Sequence, residues 1–165
     1  MHIGAGLTTL AAPSKLWPVY ATSLTGIIVR PFEGMDGFKA LLVDERRNAI
    51  VVGPSAGVGE ATRQFVLAAL AKRRATVIDA DGLSSFADDP GELFRCVASP
   101  CVLTPHDGEF RRLAPPDLAI GGTGDVLSGF IAGLLAQGLD AFHASAAAAW
   151  LHGEAANAIW PGTRG

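Results

Sequence analysis

AIVVGPSAGVGEATRQFVLAALAKRRATVIDADG, residues 49 to 82, is the stretch that sets the fold class. It opens on a short β-branched run, Ala49 to Val52, and passes through a glycine-rich turn, Gly53 to Gly59. The next segment, Glu60 to Lys72, carries Phe65, Val66, Ala69 and Leu70 on one stripe of a helix. A second strand-like run, Ala75 to Asp79, then ends in an acidic turn. Parallel strands need a long crossover between them, usually a helix, so strand, turn, helix, strand predicts a parallel sheet in an α/β domain.

Working outward, the alternation continues. LTTLA near Leu7, IIVR at Ile27 to Arg30 and CVLT at Cys101 to Thr104 read as further strands. Asp125 to Gln137 reads as a helix through Val126, Leu127, Phe130, Ile131, Leu134 and Leu135, stopped by Gly138. Ala141 to Trp160 follows as an alanine-rich helix, and Gly129, Gly133 and the alanines predict a close approach of the two. Three strands run directly into turns, GPSAGVG, DADG and PHDGE. Ligands in open α/β sheets bind beyond the carboxyl ends of strands, so these turns are expected along one edge, facing one crevice. No 20- to 50-residue repeat and no low-complexity linker divides the chain, so residues 1 to 165 read as one domain.

The chain has 165 residues, 49% of them hydrophobic, enough for one core and too few for two ordinary domains. A net charge of −3 and a pI near 5.7 leave no footprint for nucleic acid or an anionic membrane. The two cysteines, Cys96 and Cys101, lack metal-site spacing and are expected as reduced thiols in a reducing compartment. With no basic region ahead of the first apolar residues and no bilayer-length apolar run, the expected location is the cytoplasm.

GGTGDVLSG, Gly121 to Gly129, has two readings. One is a capped helix start, with Thr123 or Asp125 satisfying free N–H groups. The other is an anion cradle in which glycines admit a phosphate, the helix start supplies N–H donors, and Asp125 acts as a base. GPSAGVG is open in the same way between a plain strand-to-helix turn and a phosphate or ribose contact. Asp79 and Asp81 could hold a divalent cation through water, or serve an Asx-turn or helix cap. His106 and Glu109 would share a face at a helix start, with Thr104 or Asp107 able to cap it, at a strand end where ligands bind. His143 and His152 lie off a common helix face and form no metal pair, with His152 the nearer to the site. No nucleophile elbow, HExxH or GxxxxGK[ST] loop is present, which leaves backbone donors and a carboxylate, the equipment of phosphoryl transfer.

Taken in order, GAGLTTLA, VVGPSAGVG, VIDADGLSSFA, LTPHDGEFRRL and AIGGTGDVLSGFIAGLLAQG resemble the ADP- or ATP-dependent NAD(P)H-hydrate dehydratases over most of the chain. The resemblance implies a three-layer αβα, ribokinase-like (carbohydrate kinase-like) fold with a mostly parallel sheet. It also implies a repair activity that dehydrates hydrated NADH or NADPH. Phosphorylation of the ring hydroxyl by ADP or ATP, with Mg2+, makes a good leaving group, and elimination restores the dihydronicotinamide. Asp125 would be the base or orienting carboxylate, and Gly122, Thr123 and Gly124 the anion hole for the phosphates. His106, Gly57 and Ala5 would line the pocket of the hydrated dinucleotide.

The chain departs from that pattern in three places. Only two residues separate Met1 from Gly4, where the family has a strand, a GGS-type turn and a helix ahead of the GAGL block. Between Leu113 and Leu118 lies only Ala-Pro-Pro-Asp, where the family carries two strands and a Lys-Gly segment that helps hold the nucleotide. Ser55 occupies a position that is glycine in the family's GPGLG loop. The sheet is therefore expected to be incomplete, which leaves apolar strand edges. A truncated remnant, a minimal form that completes its sheet as a homo-oligomer, and further sequence not given all remain open. The rival activities are a ribokinase-like small-molecule kinase and a non-catalytic nucleotide-binding remnant.

Overall fold

The computed structural model describes residues 4–106, 108–109 and 125–159, with side-chain burial given within the last stretch for residues 127–152. Among them the chain forms two separate parallel sheets rather than one. In the first, β1 (Thr9–Pro13) pairs with β2 (Ile28–Phe32) across the short helix α1 (Trp17–Ser23), in register from Thr9 opposite Ile28 to Pro13 opposite Phe32. The strand expected near Leu7 starts two residues later, and Leu7 itself is exposed. Pro13 and Pro31 fit here because among the described residues neither strand has a second neighbour, so their missing N–H groups break no further ladder there.

The second sheet holds β3 (Ala49–Val52), β4 (Ala75–Ile78) and β5 (Cys101–Leu103) in that spatial order, all parallel. Val52, Ile78 and Leu103 are register partners, so the three strands end level with one another. Between them run α3 (Glu60–Leu70), α4 (Asp81–Ser84) and α5 (Pro90–Cys96), while α2 (Gly34–Leu41) follows β2. The chain closes with α6 (Asp125–Ala136) and α7 (Ala141–Ile159).

Alternation along the strands makes this sheet the middle of three layers. One face carries Val52, Ile78 and Leu103 against Val66, Ala69 and Leu70 of α3 and Leu83, Phe86 and Leu93 beyond it. The other carries Ala49, Ala75, Val77 and Val102 against Ile131 and Leu135 of α6 and Ala144 and Ala148 of α7. Each of the larger fully buried side chains contributes roughly 1.5–3 kcal/mol. The two sheets are joined by three rings, Phe32 of β2, Phe38 of α2 and Phe65 of α3, with centroids 4.6 to 5.7 Å apart.

The alanines of α7 give the close approach to α6 expected of them, and Gly133 is buried. Gly129 is different: it is exposed, and a Cβ there would meet nothing within 4 Å. The helix stop at Gly138 is as expected. Gly138 has φ +94°, its N–H donates to the Leu135 carbonyl, and the Leu139 N–H donates to that of Leu134. Together these bonds make a Schellman-type end that only a residue tolerant of positive φ can form cheaply.

One contact sets the direction of α6. Asn48, just ahead of β3, donates from Nδ2 to the carbonyl of Ala136 at 2.9 Å. The carboxyl end of α6 therefore lies at the amino edge of the sheet, and its start at Asp125 lies at the carboxyl edge. Twelve residues span about 18 Å, more than enough to cross four-residue strands.

Candidate functional site

The three turns singled out in the sequence do share one edge. The ladder runs one bond past each strand end: the Asp79 N–H donates to the Val52 carbonyl at 3.1 Å, and the Thr104 N–H donates to that of Ile78 at 3.2 Å. The pleat that sends Val77 and Val102 toward α6 therefore sends Asp79 and Thr104 the same way, toward the end where α6 begins.

Both residues carry a buried polar atom without a hydrogen-bond partner among the described residues, Oδ2 of Asp79 and Oγ1 of Thr104. Asp79 is only 3% exposed, and its Oδ1 accepts the Ala80 N–H at 2.8 Å. Buried polar atoms are normally paired, because a lost bond leaves the full desolvation cost. A carboxylate oxygen and a hydroxyl left free side by side at a strand edge thus form a polar spot built of hard oxygen donors.

The glycine-rich turn is held against this edge by side chains from its neighbours. The Gly57 N–H donates to Asp81 Oδ2 at 2.8 Å, the Gly59 N–H donates to Ser85 Oγ at 3.1 Å, and Thr62 Oγ1 donates to the carbonyls of Ala56 and Gly57. Asp81 thus ties two turns together, whereas no side chain caps α4. Gly53 lies so close beneath the DADG turn that a Cβ on it would sit 1.8 Å from the carbonyl oxygen of Asp79. Its φ of +129° adds a second reason for glycine.

His106 and Glu109 come together as their spacing predicts. Glu109 is buried, its Oε2 accepts the His106 backbone N–H at 3.0 Å, and its Oε1 lies 3.3 Å from His106 Nε2. This is the acidic half of a capping box, joined to a side-chain contact. Among the described residues the Thr104 hydroxyl has no partner and caps none of them, and Asp107 lies outside the described residues.

Of the other sequence-predicted residues, Gly57 is exposed on this edge, and Asp125 opens α6 there. Gly122, Thr123 and Gly124 also lie outside the described residues. Ala5 lies ahead of β1, which begins at Thr9. Its neighbour Gly4 sits against the Gln137 side chain, 3.0 Å from Oε1 for an added Cβ, at the opposite end of α6 from Asp125. The two ends of α6 are about 18 Å apart. His143 accompanies Asp140, which caps α7 by accepting the N–H groups of Phe142 and His143. Sequence reasoning missed Thr104 as a polar site residue; its signal was a threonine at the end of a buried strand beside Asp79.

Among the described residues no three His, Cys, Asp or Glu side chains form a metal cluster, and no helix is long and apolar enough to cross a membrane. Both cysteines are free.

A parallel sheet between helical layers, with its polar groups at the carboxyl edge, makes this a three-layer α/β protein, and the family model that it matches is a carbohydrate-kinase-like one. Solved structures agree on that fold. Bacillus subtilis YxkO, described as a putative kinase, matches with a TM-score of 0.65 at 23% identity, over 98% of this chain and 77% of that one. An ADP/ATP-dependent NAD(P)H-hydrate dehydratase from Bacillus subtilis, co-crystallised with ATP/Mg2+, matches with the same score at 22% identity, over 99% and 76%.

The chain belongs to the NAD(P)H-hydrate dehydratase family, whose sequence model matches residues 1–118 and 115–161. The two matches meet at the short junction where the family's central segment was expected to be missing. Among curated relatives, the bifunctional NAD(P)H-hydrate repair enzyme Nnr of Salinibacter ruber is 34% identical over 210 residues, covering 93% of this chain and 39% of the relative. That of Gloeobacter violaceus is 34% identical over 203 residues, covering 92% and 39%. Both alignments are longer than the 165-residue chain, so family positions are absent from it, and it spans about two fifths of these relatives' length.

Proposed function

We propose that residues 1–165 form one shortened domain that dehydrates hydrated NADH or NADPH at the expense of ADP or ATP. The observation that carries this reading is the family match through both halves of the chain, including the Gly-Thr-Gly-Asp sequence at 122–125, whose Asp125 opens α6. The carboxyl edge of the second sheet supplies the place for the chemistry.

In this reading the backbone of Gly122, Thr123 and Gly124 receives the phosphates at the start of α6, where N–H groups and the helix dipole favour negative charge. Asp125 orients the ring hydroxyl and takes its proton as the oxygen accepts the phosphoryl group. Loss of that phosphate, together with a ring proton, then restores the double bond of the dihydronicotinamide. Gly57, His106 and Ala5 contact the dinucleotide.

Magnesium fits the oxygen donors present. Asp79 Oδ2 and Thr104 Oγ1 are unpaired hard ligands, and magnesium needs few protein ligands when phosphates and waters complete its shell. When bound, the ion would neutralise charge on the phosphates.

The short junction in place of the nucleotide-holding segment favours a second reading, a nucleotide-binding remnant without turnover. The deciding experiment follows the return of dihydronicotinamide absorbance when the protein meets hydrated NADH or NADPH, Mg2+ and either ADP or ATP. Recovery with one nucleotide, cut by a factor on the order of 10² to 10⁴ in Asp125→Asn, supports the dehydratase. A folded protein that binds nucleotide without recovery is the remnant, and a stable phosphorylated alcohol in place of free phosphate identifies a kinase.

A further inference from the structure

α7 is apolar on two opposite sides. Its inner side places Ala144 and Ala148 in the core beside α6. Its outer side carries Phe142, Ala146, Ala149 and Trp150, all exposed, Phe142 at 77% and Trp150 at 66%. At about 100° per residue these four positions fall within an arc of about 100°, so they form one stripe. His143 stands at its rim, with Nδ1 2.6 Å from Asp140. A helix apolar on both sides is normally covered on both, and two large aromatic side chains left in water on one stripe mark a contact surface.

The stripe also selects what covers it. Between Ala141 and Ile159 the helix holds no lysine or arginine, so it lacks the cations with which an interfacial helix or a nucleic-acid surface holds phosphates. Its order is large, small, small, large: Phe142 and Trp150 stand eight residues apart, about 12 Å, with the two alanines between them. Reversed, that order complements itself. A second α7 laid antiparallel about a two-fold axis at Ala146 sets Phe142 of each copy opposite Trp150 of the other, and the alanines let the helix axes approach to about 8–10 Å.

We propose that two copies of this chain pair through the outer stripe of α7, antiparallel, about a two-fold axis at Ala146. The association is weak and reversible. With about 150–250 Å² for a buried aromatic side chain, the two exposed rings offer roughly 300 Å² per copy, against about 800 Å² per partner in a standard interface. A dissociation constant on the order of 100 µM follows from so small a contact. The pairing uses no residue assigned to the carboxyl edge, so it stands or falls apart from the dehydratase reading.

Sedimentation velocity of the full chain from about 5 to about 500 µM tests it, beside Trp150→Ala and Ala146→Glu, with circular dichroism to show that each variant is folded. The wild type should sediment faster as concentration rises. Both variants should associate at least about tenfold more weakly, Ala146→Glu because like charges would meet at the axis. Ala146→Cys in a Cys96→Ser background should give a reducible disulfide-linked dimer, while Ala61→Cys, exposed on α3, should not. If Trp150→Ala does not fold, Ala146→Glu and the cross-link decide alone. A wild type that stays monomeric overturns the pairing and leaves the stripe to a different protein. Dimers that survive Ala146→Glu overturn it as well, because another surface then holds them. Equal cross-linking of Ala146→Cys and Ala61→Cys likewise excludes the axis at Ala146.

Discussion

Asp81 reaches from the turn after β4 to the turn after β3 and accepts the Gly57 N–H on Oδ2 at 2.8 Å. The bond joins two segments 24 residues apart at the edge where the site gathers. It also gives the glycine-rich turn a specific character, because a phosphate arriving at that N–H meets a carboxylate already there. A neutral hydroxyl could share the site by donating to the same carboxylate, so a ribose contact suits this turn better than a phosphate contact.

Asp81→Ala should free the turn, and Asp81→Asn, whose amide oxygen can still accept, should largely keep it. The expected stability change is small, about 1 kcal/mol, because the Gly57 N–H is exposed and can turn to water. Hydrogen exchange at Gly57 to Gly59 is the sensitive measurement. Protection lost in the alanine variant and retained in the asparagine variant confirms the tie; equal exchange in both shows that Ser85 and Thr62 hold the turn without it.

Gly53 gives a larger effect. A Cβ there would lie 1.8 Å from the Asp79 carbonyl oxygen and 2.8 Å from the Gly82 nitrogen, both backbone atoms of the facing turn. Neither can move without breaking the bond between Asp79 and Val52. Gly53→Ala should therefore cost more than about 4 kcal/mol, the exceptional end of single substitutions, and separate the turns. Denaturant midpoints measured beside a Gly59→Ala control, where an added Cβ meets nothing within 4 Å, would isolate the contact from the backbone cost.

Much of this edge was readable in the sequence because short-range signals wrote it. The β-branched runs at 49–52, 75–78 and 101–103, each followed by a turn, specify strands that end together when they pair in parallel. Elements with weak local signals were not readable. α1 buries none of its residues, so it leaves no apolar stripe, and α4 is a single turn without a side-chain cap. The division into two sheets depends on which strands find neighbours over long range, and no local pattern carries that. The pairing of Glu109 with His106 was visible as a three-residue spacing, but the burial that makes Glu109 a fixed support was not.

The backbone at Ser55 shows what glycine would do there. Its φ is +55°, in the left-handed region that a Cβ makes costly. Ser55→Gly should stabilise the chain by up to about 1 kcal/mol, the strain relieved less the extra freedom of glycine in the unfolded chain. A thermal melt of the single variant checks it, and a lower melting temperature would mean that the serine side chain contributes more than its backbone costs.

The two cysteines should differ chemically. Cys101 opens β5 on the α3 side of the sheet, packed against that core, and burial pushes its thiol up to about 11. Cys96 ends α5 and is exposed. Since the thiolate is the reactive form, about one Cys101 in a thousand is reactive at pH 8, and iodoacetamide should label Cys96 first. Labelling of Cys101 should rise about tenfold per pH unit toward 11. The sign for stability follows from the same shift. The folded state holds the Cys101 proton more tightly than the unfolded state, so its contribution is complete below pH 9 and declines as pH rises from about 9 to about 11. Mass spectrometry after timed labelling measures both sites in one sample. Equal labelling at pH 8 would mean that the start of β5 opens to solvent readily, and with it the strand that carries Thr104 and His106.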